Sequence, residues 1–135
     1  MPPAGPASTP ARVVRAAPYL LVPDVAAAAA YYQKVFGFER EYAAGDPPEF
    51  AIYARDGHPV MFRRAPDPAR ITPVERQGGT WDVFYWVEGL DILQAELKQR
   101  GAQFAYELTV QQYGMREFAV RDLNGYVLGF GEPTR

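Results

Sequence analysis

Two stretches of this chain follow one plan: an apolar strand ending in valine, a helix stopped by a glycine, and three further strands. In the first, Leu20-Leu21-Val22-Pro23-Asp24-Val25 leads into a helix ending at Gly37; in the second, Tyr85-Trp86-Val87-Glu88-Gly89-Leu90 leads into a helix ending at Gly101. A duplicated unit of this size predicts two like modules packed side by side, each covering apolar surface the other leaves bare. The expected fold class is α+β, with two βαβββ modules in one domain. The expected division is a flexible N-terminal tail over 1–12, a first module over 13–66, a linker over 67–79 and a second module over 80–132.

The most apolar run is Trp81-Asp82-Val83-Phe84-Tyr85-Trp86-Val87, rich in aromatic and β-branched residues that suit a pleated, half-buried surface. It reads as a central strand. Alternation puts Val83, Tyr85 and Val87 on one face, under a helix, and Asp82, Phe84 and Trp86 on the other, as a cleft wall. Val13 to Val22 reads as a strand interrupted by Pro18, which fits an edge or a bulge. Asp24 is an N-cap for a helix over residues 26–36, built from five alanines with Tyr31, Tyr32, Val35 and Phe36 as bulk. Phe38 to Tyr42 reads as a strand. Phe50 to Arg55 and Val60 to Arg64 form a hairpin around Asp56-Gly57. Residues 65–79 read as the longest structureless segment. A second helix over residues 90–100 has Leu90, Leu93, Leu97 and Ile92 on its buried side. Strands at 104–109, 113–121 and 126–130 close the chain, the last two joined at Asn124-Gly125.

Composition removes several functions. The chain has 135 residues, 48% of them hydrophobic and 22% charged, with a net charge of −2. That is a globular domain without the basic surface nucleic acid requires. There is no cysteine and a single histidine, His58, which excludes thiolate chemistry and any two-histidine metal site within one chain. No run is long and apolar enough to span a membrane, and no secretory signal is visible at the N-terminus. The expected location is cytoplasmic. No Gly-x-Ser-x-Gly elbow and no phosphate-binding glycine loop is present.

With the repeat in place, the motifs resemble the vicinal oxygen chelate superfamily, the glyoxalase/bleomycin resistance protein/dioxygenase group. The matching pieces are Leu20 to Val25, Tyr31-Tyr32 through Val35-Phe36-Gly37-Phe38-Glu39, Tyr85 to Asp91, Leu97 to Ala102, and Tyr113 to Tyr126 with Asp122-Leu123-Asn124-Gly125. Gly89 stands where the family usually has Asp, and Leu123 where it has Pro. The resemblance implies a curled mixed sheet, or partial barrel, around a cavity, and a homodimer. Catalytic members hold a divalent ion with four side chains. Carried over by offset, those positions are Ala17, Met61, Asp82 and Gly129. Alanine and glycine offer no donor, and a thioether suits hard cations poorly. The family's Lewis-acid chemistry then has no agent.

The cavity is expected to be lined by Ala17, Tyr19, Leu21, Met61, Arg63, Asp82, Phe84, Trp86, Val127 and Gly129. Of these, Tyr19, Met61, Arg63, Asp82, Phe84 and Trp86, joined by Tyr113 and Arg116 on a flanking loop, are the candidate ligand-binding residues. Such a lining stacks planar or cationic molecules. Asp82 either orients a cationic group or pairs with Arg63 across the sheet. The expected function is binding of a small aromatic or cationic molecule without metal or cofactor, with antibiotic sequestration as one role. The alternative is a metal-dependent lyase or dioxygenase with an atypical site. The enzyme question stays open, leaning against catalysis, with no catalytic residue assigned. The expected partners are the small molecule and a second copy of the chain.

Overall fold

A computed structural model describes residues 10–134. The expected tail falls outside these residues over 1–9; residues 10–18 run without regular structure. The first module is β1 (Tyr19–Val22), α1 (Val25–Phe36), β2 (Glu39–Gly45), β3 (Pro48–Arg55) and β4 (His58–Arg64). The second is β5 (Val83–Trp86), α2 (Leu90–Gln99), β6 (Gln103–Val110), β7 (Met115–Arg121) and β8 (Val127–Pro133). Each module makes its own four-stranded sheet, in the orders β1-β4-β3-β2 and β5-β8-β7-β6. The repeat is therefore a repeat of topology: a parallel first pair followed by antiparallel hairpins. The sheets stay separate and do not close into a barrel.

Local chemistry sets the ends. The Asp24 side chain accepts from Ala27 N at 3.0 Å, and Gly37, at φ 74°, closes α1 with its own N–H on Tyr32 O. A left-handed residue there costs glycine little. α2 starts without a side-chain cap on its own N-cap residue, because Gly89 stands there. Glu132 Oε1 instead accepts from Leu90 N at 3.4 Å, reaching across from β8.

The helix-bearing faces of both sheets share one core. Val22, Val60 and Phe62 from the first sheet meet Tyr32 and Phe36 of α1, and Leu90 and Leu97 of α2 meet Phe118, Val120 and Leu128 of the second sheet. Tyr32 sits at the junction. Its ring is edge-on to Phe36, Phe38 and Phe62, with centroids 4.8–5.4 Å away. Its hydroxyl donates to Asp122 Oδ2 of the second module at 2.7 Å. Two further ties cross the seam: Tyr126 OH donates to Leu21 O at 2.6 Å, and Arg55 grips Glu96 of α2.

Four expectations need correction. The run read as a central strand is an edge: β5 pairs only with β8, and covers Val83–Trp86. Hydrophobicity on both faces came from a core on one side and an aromatic row on the other, not from two neighbouring strands. β1 is shorter than expected, beginning at Tyr19, although Pro18 O still accepts from Met61 N at 2.9 Å; its edge position agrees with the proline. Ile92 is 76% exposed, because at 100° per residue it falls off the stripe that buries Leu90, Leu93 and Leu97. The segment read as structureless carries two short 3₁₀ turns, Pro68–Arg70 and Val74–Gln77.

Candidate functional site

Alternation leaves each sheet one face away from the shared core. On the first sheet, register aligns Tyr19 with Met61 and Leu21 with Arg63, then Ile52 with Met61 and Phe50 with Arg63, and finally Tyr42 with Ile52. These residues form a face that the described residues do not cover: Tyr19 is 56% and Tyr42 53% exposed. Arg63 lies there without an ion-pair partner among the described residues.

On the second sheet the open face carries Phe84 and Trp86 of β5, Gly129 and Gly131 of β8, Met115, Glu117 and Ala119 of β7, and Tyr106 of β6. Trp81, Phe84 and Trp86 make a row, with ring centroids 4.6 and 5.1 Å apart. The two glycines are its floor. A Cβ on Gly129 would stand 2.6 Å from Trp81 Nε1 and 2.8 Å from Phe84 Cδ1; one on Gly131 would stand 2.8 Å from Phe84 Cζ. Only a residue without a side chain lets the rings lie down on β8.

Beside the row lies Glu117, only 1% exposed. Its Oε1 accepts from Tyr106 OH at 2.9 Å, from Tyr113 OH at 2.7 Å and from Gln111 Nε2 at 3.4 Å. Trp81 Nε1 in turn donates to Tyr106 OH at 2.9 Å, so the row and the carboxylate are one network. Loss of water, then the hydrogen bond to Glu117, pushes the Tyr113 phenol up to about 12, so it donates as a neutral phenol. Tyr106 is also raised, chiefly by desolvation. Glu117 Oε2 is buried and has no hydrogen-bond partner among the described residues.

The structure divides the candidate residues. Tyr19, Met61 and Arg63 stand on the first open face, and Phe84, Trp86 and Tyr113 on or beside the second. The two faces lie outside the shared core, so a single chain does not bring these groups together. Asp82 is occupied by the backbone: Oδ1 accepts from Val74 N at 3.0 Å and Oδ2 from Val127 N at 2.8 Å. It pins the segment before β5 to the start of β8, and it forms no pair with Arg63. Arg116 alternates with Glu117 and points the other way, to Glu132 and to Asp91 of α2. Glu117 was not anticipated. Its signal was present, as the lone acid of its strand, on the same face as Met115 and Ala119 and opposite a glycine.

The four positions carried over for a metal do not fit one. Ala17 has no donor, Asp82 already receives two N–H groups, and the space above Gly129 holds Trp81 and Phe84. Among the described residues no group of three His, Asp or Glu side chains converges. Two hollows lie elsewhere, along the seam between modules. One, about 680 Å³, is lined by Phe38, Tyr85, Phe130, His58 and Ile92. The other, about 430 Å³, is lined by Arg40, Arg55, Glu96 and Arg100, where Glu96 is held by both Arg55 and Arg100.

A family model described as "Glyoxalase/Bleomycin resistance protein/Dioxygenase superfamily" matches residues 12–130. The chain belongs to that superfamily. Among solved structures, TioX from Micromonospora sp. ML1 is 25% identical, with a TM-score of 0.72 over 90% of this chain and 99% of that one. The bleomycin-binding protein of Streptomyces verticillus, solved with copper(II)-bleomycin, is 21% identical (TM-score 0.67, 89% and 96% covered). A bleomycin resistance determinant encoded on the transposon Tn5 is 19% identical (TM-score 0.71, 91% and 100% covered). The last two establish likeness of fold alone. No curated protein matches the chain. The superfamily fold thus carries, in this chain, aromatic rings where the carried-over ligand position at Gly129 would lie. No helix is long and apolar enough to cross a membrane.

Proposed function

We propose that this superfamily member is a cytoplasmic small-molecule binder that holds a planar aromatic ligand by stacking, without metal chemistry. The observation that carries the reading is the Trp81–Phe84–Trp86 row laid on Gly129 and Gly131, over one of the four positions carried over for a metal. Rings at this spacing present π-faces and edges to a flat partner. A metal-dependent lyase or dioxygenase would need donors drawn from somewhere other than Ala17, Met61, Asp82 and Gly129.

The exposed apolar side chains of both open faces support a homodimer, with the first open face of one copy covering the second open face of the other. Tyr19, Leu21, Tyr42 and Trp86 are too many large apolar groups to leave in water on so small a monomer. The pairing would unite the candidate residues that one chain keeps apart. Sequestration of an aromatic antibiotic is the physiological role in keeping with this arrangement, and the fold it shares with bleomycin-binding proteins supports that choice.

The test is a thermal-shift screen of planar aromatic compounds, bleomycin included, with and without EDTA. Ligand at about a hundred times its Kd contributes about 2.7 kcal/mol, a rise in Tm of roughly 10 °C for a domain of this size. A rise unaffected by chelator is expected. A rise abolished by chelator, with a divalent ion retained at one per chain, would favour the lyase or dioxygenase.

A further inference from the structure

We propose that Glu117 Oε2 receives a protonated nitrogen of the ligand, so the site selects planar aromatic molecules that carry an amidinium, guanidinium or ammonium group. The proposal deepens the reading of the second open face as a small-molecule site and rests on it. Buried carboxylates are ordinarily paired with a cation or surrounded by donors. Glu117 meets half of that rule. Three donors converge on Oε1, all of them uncharged: two phenols and an amide. Oε2 has none. No lysine or arginine among the described residues pairs with it; the nearby arginines are engaged elsewhere, Arg116 with Glu132 and Asp91, and Arg121 with Glu75.

The place of Glu117 beside the aromatic row fits a ligand. Glu117 pairs in register with Gly131 on the open face, and a Cβ on that glycine would meet Phe84 Cζ and Met115 Cε. A flat ring stacked along the aromatic row would bring a substituent on its edge to this carboxylate. Tyr113 is 61% exposed on the turn before Gly114, where φ is 83°. Of the donors to Oε1, Tyr113 is the one on an exposed turn, and its displacement opens the carboxylate. The role first expected of Asp82, orienting a cationic group, passes to Glu117, because Asp82 is committed to backbone N–H groups.

The probes are benzamidine and benzamide, which share ring and size and differ in charge. The chain has two tryptophans, Trp81 and Trp86, both in the row, so their indole N–H resonances report occupancy directly. Benzamidine is expected to bind the full chain at least tenfold more tightly than benzamide. Glu117→Gln is expected to abolish the preference, so that benzamidine binds no more tightly than benzamide. Tyr113→Phe keeps the carboxylate and removes one of the uncharged donors on Oε1 that share its negative charge, so it is expected to tighten benzamidine at least twofold. That variant also covers the case in which Glu117→Gln fails to fold. Trp86→Ala is expected to weaken both probes alike. Equal affinity for the two probes overturns the proposal, as does a preference that survives Glu117→Gln or a Tyr113→Phe variant that does not tighten benzamidine. A shift from dimer to monomer in Glu117→Gln, with the preference intact, assigns the carboxylate to the subunit interface instead. If both probes bind equally and Trp86→Ala weakens both, the aromatic site stands without its cation selectivity. If neither moves the indole resonances, both readings fall together.

Discussion

Replacing Tyr32 by Phe removes one hydroxyl and keeps the ring that packs on Phe36, Phe38 and Phe62, so no cavity opens. What is lost is the 2.7 Å bond to Asp122, which joins α1 of the first module to the turn before β8. Asp122 is 4% exposed, and burial, against the hydrogen bonds from Tyr32, Asn124 N and Tyr126 N, pushes its carboxyl up from 3.8 to about 6. The folded state therefore holds this proton more tightly than the unfolded chain does. The resulting stability is full below pH 4 and is lost as pH rises through 6, about 3 kcal/mol at about 1.4 kcal/mol per unit. Tyr32 limits that loss by favouring the ionised form. Its removal should cost about 2–3 kcal/mol at pH 7.5, where the bond is to a charge. At pH 5 the carboxyl is protonated and the cost should shrink to about 1 kcal/mol, the worth of a neutral bond. Urea unfolding at the two pH values, followed by tryptophan fluorescence, measures both differences. A cost equal at the two pH values, or larger at pH 5, would refute the account of Asp122 as a buried carboxylate held by Tyr32.

Three other substitutions probe the core, the seam and the aromatic floor. Gly129→Ala sets a methyl against Trp81 and Phe84; it should destabilise by about 1–3 kcal/mol, shift the Trp81 indole resonance and weaken aromatic ligands. An unchanged indole spectrum would show that the rings do not lie on β8. Leu97→Ala, at a 1% exposed position between α2 and the second sheet, should cost about 2–5 kcal/mol in chemical denaturation. Glu96→Gln breaks the ion pairs to Arg55 and Arg100; with partners this exposed the loss should be at most about 1 kcal/mol at pH 7. Arg55 lowers the Glu96 carboxyl to about 2, so that contribution is present above pH 4.5 and disappears as pH falls toward 2. A variant gap that grows on acidification would contradict it.

The sequence by itself determined everything that depends on a few neighbouring residues. Asp24 and Gly37 bound α1, Asp56-Gly57 turns a hairpin, and alternation assigns Val83 and Tyr85 to one face and Phe84 and Trp86 to the other. Repeated twice, those local rules gave the βαβββ order, because periods of 2 and 3.6 residues and a backbone at positive φ are properties of short windows. Tertiary structure decided what each face and each polar group meets. It made β5 an edge, gave Asp82 to two backbone N–H groups, turned Arg116 toward α2, and left Ile92 in water. It also gathered Trp81, Tyr106, Gln111 and Tyr113 around Glu117 from β6, the turn after it and the approach to β5. Whether a carboxylate is solvated, paired or left with a free oxygen depends on groups distant along the chain, and no local period encodes their arrival.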